Sequence, residues 1–313
     1  EIKVFSPEDF SSVFGEPLGA PMEAKIKGAN IKYTNFTKEE RDDCIRLAVK
    51  ILLDPGVDRS GEHRLGKWEA GWAENLDAFK NGDANTLIPK YFYRDNKLAT
   101  IGSCGRLAQE YICPLEAGFD YKILLIIMDW LFEKYAADAA SVYEFGCGTG
   151  HLLLRLREIN KKAKLFGLDW AEVSQKIIEE MVAMGTAQNI YGKKFDFFNP
   201  DESFVLEKDS VVYTVGALEQ VGANHEKFIA YLLKNKPKIC FHLEPIGELL
   251  DEHNLLDFLT IEYYKKRNYL SGFISHLENL EKDGKIKILK KQRTYFYANL
   301  MAEHSLVVWA PVA

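Results

Sequence analysis

The segment YEFGCGTGH at residues 143–151 constrains the fold of this chain more than any other part of its sequence. An apolar stretch, residues 139–142, precedes it, and an amphipathic run, residues 152–159, follows it. This order predicts a β-strand, a glycine-rich turn and an α-helix. Because glycine lacks a Cβ atom and tolerates positive φ, such a turn lets the backbone approach a bound ligand closely. We therefore predict an α/β protein with a ligand site beside this turn.

Two kinds of glycine-rich turn compete for this segment. The dinucleotide fingerprint G-x-G-x-x-G uses its third glycine for close packing of helix and strand. Here His151 occupies that third position, and Gly150 comes one residue early. The spacing G-x-G-x-G, preceded by the acidic Glu144, resembles motif I of class I S-adenosylmethionine (SAM) methyltransferases. A nicotinamide-dependent oxidoreductase is the alternative, and the missing third glycine argues against it.

The composition is that of a globular protein with a substantial core. Of the 313 residues, 47% are hydrophobic and 27% are charged, and the net charge is −6. Lysine and arginine are dense only at residues 265–267, so a nucleic-acid partner is not expected. The apolar run at residues 123–128 is too short for a bilayer, which takes about 20 residues, so no membrane partner is expected. The five cysteines include no C-x-x-C pair, which favours reduced thiols and a cytoplasmic location.

The first 115 residues are predicted to form a mainly helical cap over the substrate. Apolar spacing predicts helices over residues 38–53 and 66–80. Trp68 and Trp72 share one stripe of the second helix with other apolar side chains, which favours core packing over pocket lining. Arg64 is interpreted as a surface charge. Because the chain begins with glutamate, we expect either a piece of a longer polypeptide or a trimmed chain, and a homodimer is a further possibility.

From residue 116 to residue 313, strands and helices alternate, as in an α/β sheet. Strands are predicted over residues 141–145, 164–168, 193–198, 210–215 and 238–243, and helices over residues 119–135, 151–160, 173–184, 226–233 and 268–280. Residues 286–292 and 305–309 follow as an antiparallel pair with a long connection. This pattern matches the seven-stranded, mostly parallel Rossmann-like sheet of the methyltransferases. Residues 116–313 are therefore predicted to be a SAM-binding domain.

The resemblance assigns a role to the residues that follow each strand, because ligands of open α/β sheets bind at the carboxyl ends of the strands. It implies that the glycine-rich turn contacts the methionine part of SAM, with Glu144 near the amino group or sulfonium. Asp169 would accept hydrogen bonds from both ribose hydroxyls, although such a carboxylate also suits a helix N-terminus. The SAM-binding residues implied in this way are Glu144, Gly146, Cys147, Gly148, Gly150, Asp169, Trp170, Asp196, Phe197 and Gly216.

Within that set, Asp196 and Phe197 would hold the adenine, Trp170 would offer it or the ribose an apolar face, and Gly216 would lie under the sulfonium. An ordinary strand end with a core phenylalanine is the alternative for Asp196 and Phe197. The inference depends on the order of the four sites along successive strands, since any one of them alone is weak.

Methyl transfer to a group that carries a proton needs a base. Glu219, His242 and Glu244 are the candidates, because they lie on or after the fourth and fifth strands. For His242 a hydrogen-bonded structural role is favoured over catalysis. Two ligands on one strand face do not make a metal site, so no metal is expected.

We therefore expect a SAM-dependent methyltransferase, with S-adenosylhomocysteine (SAH) as the second product, that acts on a small polar metabolite. O-methylation of a sugar or nucleotide-sugar is favoured, because the predicted rim of the site is polar. An N-methyltransferase on a small amine and a catalytically silent SAM-binding domain are the alternatives. The chain is also similar to uncharacterised bacterial small-molecule methyltransferases.

Overall fold

A seven-stranded α/β sheet forms the centre of the molecule, as predicted. The computed structural model describes residues 1–92 and 104–312. The region before the sheet contains α1 (Pro7–Phe14), α2 (Ala20–Ala29), α3 (Lys38–Leu53) and α4 (Leu65–Lys80), with β1 (Ile2–Val4), β2 (Lys32–Asn35), β3 (Gly105–Leu107) and β4 (Glu110–Pro114). The elements that follow are α5 (Phe119–Tyr135), β5 (Ser141–Phe145), α6 (His151–Ile159), β6 (Lys164–Asp169), α7 (Glu172–Ala183), β7 (Ile190–Lys194), β8 (Val211–Val215), α8 (Glu226–Asn235), β9 (Ile239–Glu244), α9 (Leu255–Arg267), α10 (Phe273–Lys282), β10 (Ile286–Asn299) and β11 (Glu303–Pro311).

The strand order explains where a ligand site can form. The core strands lie in the order β7-β6-β5-β8-β9-β11-β10, with β5 to β9 parallel and β11 antiparallel to β9. The order of the strands reverses between β5 and β8, which is the switch point where open α/β sheets bind ligands. The glycine-rich turn follows β5, so the fold places it at this point.

Strand composition and burial agree in the centre of the sheet. Strands β5 and β9 are buried along their whole length, because helices cover both faces. One apolar cluster includes buried side chains of α5 and α6, such as Ile127 and Leu153. A second cluster, on α8 and α10, includes Phe228 and Phe273. Helix α5 was predicted over the same residues that it occupies.

The N-terminal region differs from the predicted helical cap in one respect. Besides α1 to α4, the described part of this region, residues 1–92 and 104–115, contains strands that extend the same sheet beyond β10 in the order β3-β4-β2-β1, all antiparallel. The strands were missed because they are three to five residues long, with only two or three residue pairs to each neighbouring strand. The division of the chain at about residue 115 stays a proposal.

Three predicted boundaries in the second half were wrong. The third parallel strand is β7, which ends at Lys194, so Asp196 and Phe197 lie in the loop after the strand. Helix α9 was not predicted, and the helix expected over 268–280 begins at Phe273. The final pair is longer than predicted, and only residues 300–302 join its strands, because irregular pairing within β10 lets it continue to Asn299.

Candidate functional site

The glycine-rich turn is held against the end of β6 by two backbone hydrogen bonds. The N–H groups of Gly146 and Cys147 both donate to the carbonyl oxygen of Leu168, at 2.7 and 3.0 Å. Gly146 has a φ of +77°, and a Cβ atom there would lie 2.2 Å from the Cβ of Ala217. Glycine is therefore required at position 146 both for its φ and for the close approach of the loop after β8.

The other two glycines of the turn have different neighbours. Gly148 faces α4, and a Cβ atom on it would lie 2.9 Å from the Trp72 ring. Gly150 precedes α6 with a φ of +71° and faces Met181 of α7. Gly148 borders the open side of the turn, whereas Gly150 serves the packing of helix against helix.

Asp169 connects the end of β6 to the turn. Its Oδ2 accepts a hydrogen bond from the Gly148 N–H at 2.8 Å, and its Oδ1 accepts one from the Ala171 N–H at 2.9 Å. Burial raises the pKa of this carboxyl to about 6. A carboxylate oxygen has more than one lone pair, so both oxygens retain the capacity to accept a further hydrogen bond.

A small aromatic pocket of about 60 Å³ lies beside Asp169. Trp170 and Phe197 line it, together with Asp196, whose Oδ1 accepts a hydrogen bond from the Phe198 N–H at 2.8 Å. Gly216, after β8, lies on its wall. The predicted adenine-site residues therefore meet at one pocket, which has aromatic surfaces and two carboxyl groups, those of Asp169 and Asp196.

A larger cavity of about 520 Å³ opens next to the small pocket, and the two share Gly146, Gly216 and Gln220. Glu144 lines the larger cavity and accepts a hydrogen bond from the Tyr213 hydroxyl at 2.9 Å. Burial raises the pKa of Glu144 to about 8. Cys147 is buried in the same wall, and burial raises the pKa of its thiol, so this sulfur is a neutral surface of the cavity.

Of the three predicted catalytic residues, the structure places only Glu219 in the cavity wall. Its Oε1 accepts a hydrogen bond from the Gln220 side chain at 2.8 Å, and burial raises its pKa to about 8. A carboxyl group with such a pKa exchanges protons near neutrality, as a general base requires.

Glu244 has a structural position instead. Its Oε1 accepts hydrogen bonds from the N–H groups of Ala217 and Leu218 at 3.2 and 3.1 Å, and its Oε2 accepts one from Glu219 N–H at 3.2 Å. The carboxyl group is fully buried under the loop after β8 and does not line the cavity. The Glu244 carboxyl therefore fixes the loop that carries Glu219, and a role for Glu244 as the base stays a prediction that this buried position does not favour.

His242 is also removed from the cavity. Its Nδ1 lies 3.0 Å from Thr214 Oγ1, and its Nε2 accepts a hydrogen bond from Trp309 Nε1 at 3.0 Å. Burial lowers the pKa of this imidazole to about 3, so the ring is neutral. Both ring nitrogens have protein partners, as in the hydrogen-bonded structural role favoured from the sequence, and a catalytic role for His242 stays an untested prediction.

Helix α4 contributes to both pockets tryptophan side chains that were predicted to pack in the core. Trp68 and Trp72 stack at 5.3 Å and line both pockets, although Trp72 also packs in the apolar cluster between α4 and α7. Glu69 fixes the helix, because its carboxyl accepts hydrogen bonds from the N–H groups of Glu172 and Val173 at the start of α7. Through Trp72, α4 thus lies against Gly148 of the glycine-rich turn.

Arg64, just before α4, is not a surface charge. Its side chain is 12% exposed, and its Nη1 donates to Gln220 Oε1 at 2.6 Å. Much later in the chain, Tyr263 and Arg267 of α9 line the wall of the larger cavity together with Tyr269. The neighbouring Lys265 pairs with Glu262 at the surface, so only part of the basic run contributes to the cavity.

Sequence reasoning missed further residues that the tertiary structure brings to the cavity. Asp120 lies in the first turn of α5, and burial raises its pKa to about 7. His304 lies in β11, with its Nε2 3.5 Å from the position of a Cβ on Gly216, and burial lowers its pKa to about 4. An acidic residue opening an apolar helix was the only available signal for Asp120, and none existed for His304.

Some classes of site are absent from the part of the chain that the structure describes. Residues 1–92 and 104–312 contain no group of three or more His, Cys, Asp or Glu side chains placed to hold a metal ion. Over the same ranges, no helix combines the length and the apolar character needed to cross a membrane.

No family model matches the chain, and no curated protein matches it. Among solved structures, the magnesium protoporphyrin IX methyltransferase of Synechocystis PCC 6803 with bound SAH has a TM-score of 0.47 at 12% identity, covering 76% of this chain and 98% of that one. The N-methyltransferase NodS of Bradyrhizobium japonicum WM9, in complex with SAH, has a TM-score of 0.47 at 9% identity, with 78% and 100% covered. A geranyl diphosphate methyltransferase in complex with SAM has a TM-score of 0.45 at 10% identity, with 67% and 97% covered. At such scores, the inference about function has to come from the site itself.

Proposed function

We propose that this protein is a SAM-dependent methyltransferase that methylates a hydroxyl group of a small polar acceptor, of the sugar or nucleotide-sugar type. One observation carries the proposal. The glycine-rich turn, Asp169 and the loop containing Asp196 follow three successive parallel strands and border one aromatic pocket. That pocket is continuous with a larger polar cavity suited to an acceptor.

The residues present fit the cofactor. Gly146 and Gly148 line the larger cavity with their backbone, and Glu144 offers a carboxyl group to a cationic ligand atom. Asp169 has acceptor capacity for ribose hydroxyls, and Trp170 and Phe197 offer apolar faces to an adenine. When bound, SAM supplies a methyl group attached to a cationic sulfur.

Binding requires α4 to move. The small pocket measures about 60 Å³, whereas sites for ligands of this kind measure roughly 300–1,000 Å³. Trp68 and Trp72 are the side chains on the wall of that pocket that belong to the N-terminal region. We therefore expect these two rings to withdraw when the adenosine part enters and to cover it afterwards, which would exclude water from the reacting atoms.

Glu219 is the proposed base. It lies in the cavity wall on the loop after β8, and Glu244 orients that loop through three backbone N–H groups. The carboxylate form would accept the hydroxyl proton of the acceptor as the methyl group is transferred. His304 is a second candidate that the structure adds, since a neutral imidazole on the same wall can also accept a proton.

A small amine is the second candidate acceptor, because Asp120, Glu144 and Glu219 all line the larger cavity and a group of carboxyl side chains can bind an ammonium ion. The two acceptor classes separate in an assay with methyl-labelled SAM and matched panels of sugars, nucleotide-sugars and amines. Label in the amine panel alone would reject O-methylation. Label in none of the three panels would favour a catalytically silent SAM-binding protein.

The cofactor assignment is tested by calorimetric titration with SAM, SAH and NADH. We expect micromolar binding of SAM and SAH, and about 10- to 100-fold weaker binding by Asp169→Asn, since the amide loses a charge-assisted hydrogen bond. Asp201→Asn, which changes an exposed carboxylate on a nearby loop, is the matched control and should bind normally. Binding of NADH without SAM would overturn the proposal.

A further inference from the structure

The larger cavity contains two cationic side chains among the residues that the structure describes, Arg64 and Arg267. The segments that carry them are fastened together, although 203 positions separate them (267 − 64). The Ser60 N–H donates to the Arg267 carbonyl oxygen at 2.7 Å, and the Asn268 side chain donates to the Ser60 carbonyl oxygen at 3.1 Å. The start of α4 and the end of α9 therefore present their arginines to one part of the cavity.

Only part of the hydrogen-bonding capacity of the Arg267 guanidinium group is used by other residues of the protein. Its guanidinium carbon lies 6.0 Å from the ring of Tyr263 and 5.2 Å from the ring of Tyr269, and Tyr269 also hydrogen-bonds the side chain. Its Nε is buried without a hydrogen-bond partner. Within the described ranges, no carboxylate lies within 4 Å of Arg267. Burying a charge with an unsatisfied donor costs free energy unless a ligand completes its hydrogen bonds.

Arg64 is more fully engaged but faces the same space. Its Nε lies 3.2 Å from Asp58 Oδ2, its Nη1 donates to Gln220, and its guanidinium carbon lies 5.0 Å from the Trp68 ring. Asp58 is one-third exposed and also pairs with Lys67 at 2.6 Å, so its negative charge is shared between two cations. Arg64 therefore adds positive potential to the cavity beside Arg267.

We propose that Arg267, assisted by Arg64, binds an oxyanion of the acceptor, either a phosphate or a carboxylate. The planar guanidinium of arginine forms paired hydrogen bonds with both groups, and the rings of Tyr263 and Tyr269 fix its plane. The inference rests on the proposed function, because it takes this cavity as the acceptor site. It narrows the acceptor from polar metabolites in general to anionic ones, such as a sugar phosphate, a nucleotide-sugar or a sugar acid.

The test uses the full chain saturated with SAH and three related probes: glucose 1-phosphate, glucuronate and methyl glucoside. Calorimetry should show that at least one anionic probe binds about tenfold or more tightly than the neutral methyl glucoside. The phosphate and carboxylate probes distinguish the two sources of the oxyanion. Equal affinity for anionic and neutral probes, or no binding of any probe, would overturn the inference.

Substitutions of the two arginines test whether these side chains cause the preference for anionic probes. Arg267→Met should weaken binding of the anionic probe about 10- to 100-fold, Arg267→Lys should weaken it less, and Arg64→Met should have an intermediate effect. Arg59→Met is the matched control, because Arg59 is exposed and does not line the cavity. The two Arg267 variants and the Arg59 control should keep the SAH affinity of the wild type. Unchanged anion binding in Arg267→Met would refute the assignment.

The same experiment separates this inference from the cofactor proposal. Loss of anion preference with normal SAH binding would count against the oxyanion site alone. Failure of SAH to bind, with an anionic probe still bound through Arg267, would leave the oxyanion site in place and reject the methyltransferase.

Discussion

The two halves of the cavity are built in different ways. The cofactor half comes from residues 144–150, 169–170 and 196–197, which follow three strands that are adjacent in both sequence and space. The acceptor half comes from the start of α4, the first turn of α5, the loop after β8, the end of α9 and the start of β11. In the first half, backbone geometry dominates, whereas in the second half side chains from distant segments supply the chemistry. The cofactor half should therefore tolerate few changes to the backbone, and the acceptor half should respond mainly to changes of charge.

The largest expected effect comes from a substitution in the glycine-rich turn of the cofactor half. Gly146→Ala would place a methyl group 2.2 Å from the Cβ of Ala217 at a φ of +77°. Left-handed strain and overpacking together cost roughly 2–5 kcal/mol, and the displaced turn should lose SAH binding. Calorimetry and thermal unfolding measure both consequences.

Gly185→Ala is the matched control for that variant. Gly185 has a similar φ of +69°, but nothing lies within 4 Å of its added methyl group. This variant should carry only the backbone strain, about 1–2 kcal/mol, and bind SAH normally. If the two variants behaved alike, close contact with the loop after β8 would not be what requires glycine at 146.

The next largest effect concerns the acceptor half and the role of Glu219 as a base. With an acceptor found by labelling, Glu219→Gln should lower kcat about 10²- to 10⁴-fold while SAH affinity stays unchanged. Because burial raises the pKa of Glu219 to about 8, the wild-type rate should increase as the pH rises towards 8 and then level off. A pH–rate profile measures this directly.

His304→Asn distinguishes the two candidate bases. The pKa of His304 is lowered to about 4, so a reaction that depended on its neutral ring would show no change in rate between about pH 6 and 8. A flat profile in the wild type, together with a greater loss in His304→Asn than in Glu219→Gln, would transfer the role to His304.

A smaller effect concerns stability in the cofactor half. Burial raises the pKa of Glu144 from 4.5 to about 8, so the folded state binds a proton that the unfolded state releases. This contribution is present below pH 4.5 and is lost as the pH rises through about 8, so the free energy of unfolding should fall by up to a few kcal/mol over that interval.

Glu144→Gln should reduce that pH dependence in denaturant unfolding measured from pH 5 to 8, and the part that remains belongs to other buried carboxyl groups with raised pKa values, such as those of Glu219 and Asp120. Glu207→Gln, which changes a half-buried residue that pairs with Lys164, should keep the wild-type slope. A slope that Glu144→Gln leaves unchanged would show that another buried carboxyl group causes it.

The smallest effect reports on the junction between the halves. Trp68 and Trp72 line the small pocket, so binding of SAH should change the intrinsic fluorescence. Trp72→Phe should remove a substantial part of that change. Trp130→Phe should retain it, because Trp130 packs against Phe10 and Phe14 outside both pockets. A signal that both variants preserve would argue against movement of α4.

The sequence by itself determined the succession of core strands and helices along the chain and the residues expected beside the glycine-rich turn. Strand periodicity, the glycine spacing and the acidic residues after successive strands are local signals, and parallel strands bring their carboxyl ends to one edge of the sheet. Glu144, Gly146, Asp169 and Asp196 could be placed for that reason. The error at β7 moved Asp196 from a strand into a loop without taking it away from the pocket.

Only the tertiary structure decided which side chains face the acceptor. Alternation along β9 placed His242 and Glu244 on one face but could not show that Trp309 and the loop after β8 occupy their polar atoms. Arg64 and Arg267 lie far apart in the sequence, and the contacts at Ser60 bring them to the same cavity. A side chain's role depends on the partners that remain available after packing, and those partners come from segments whose pairing leaves no periodic signal in the sequence.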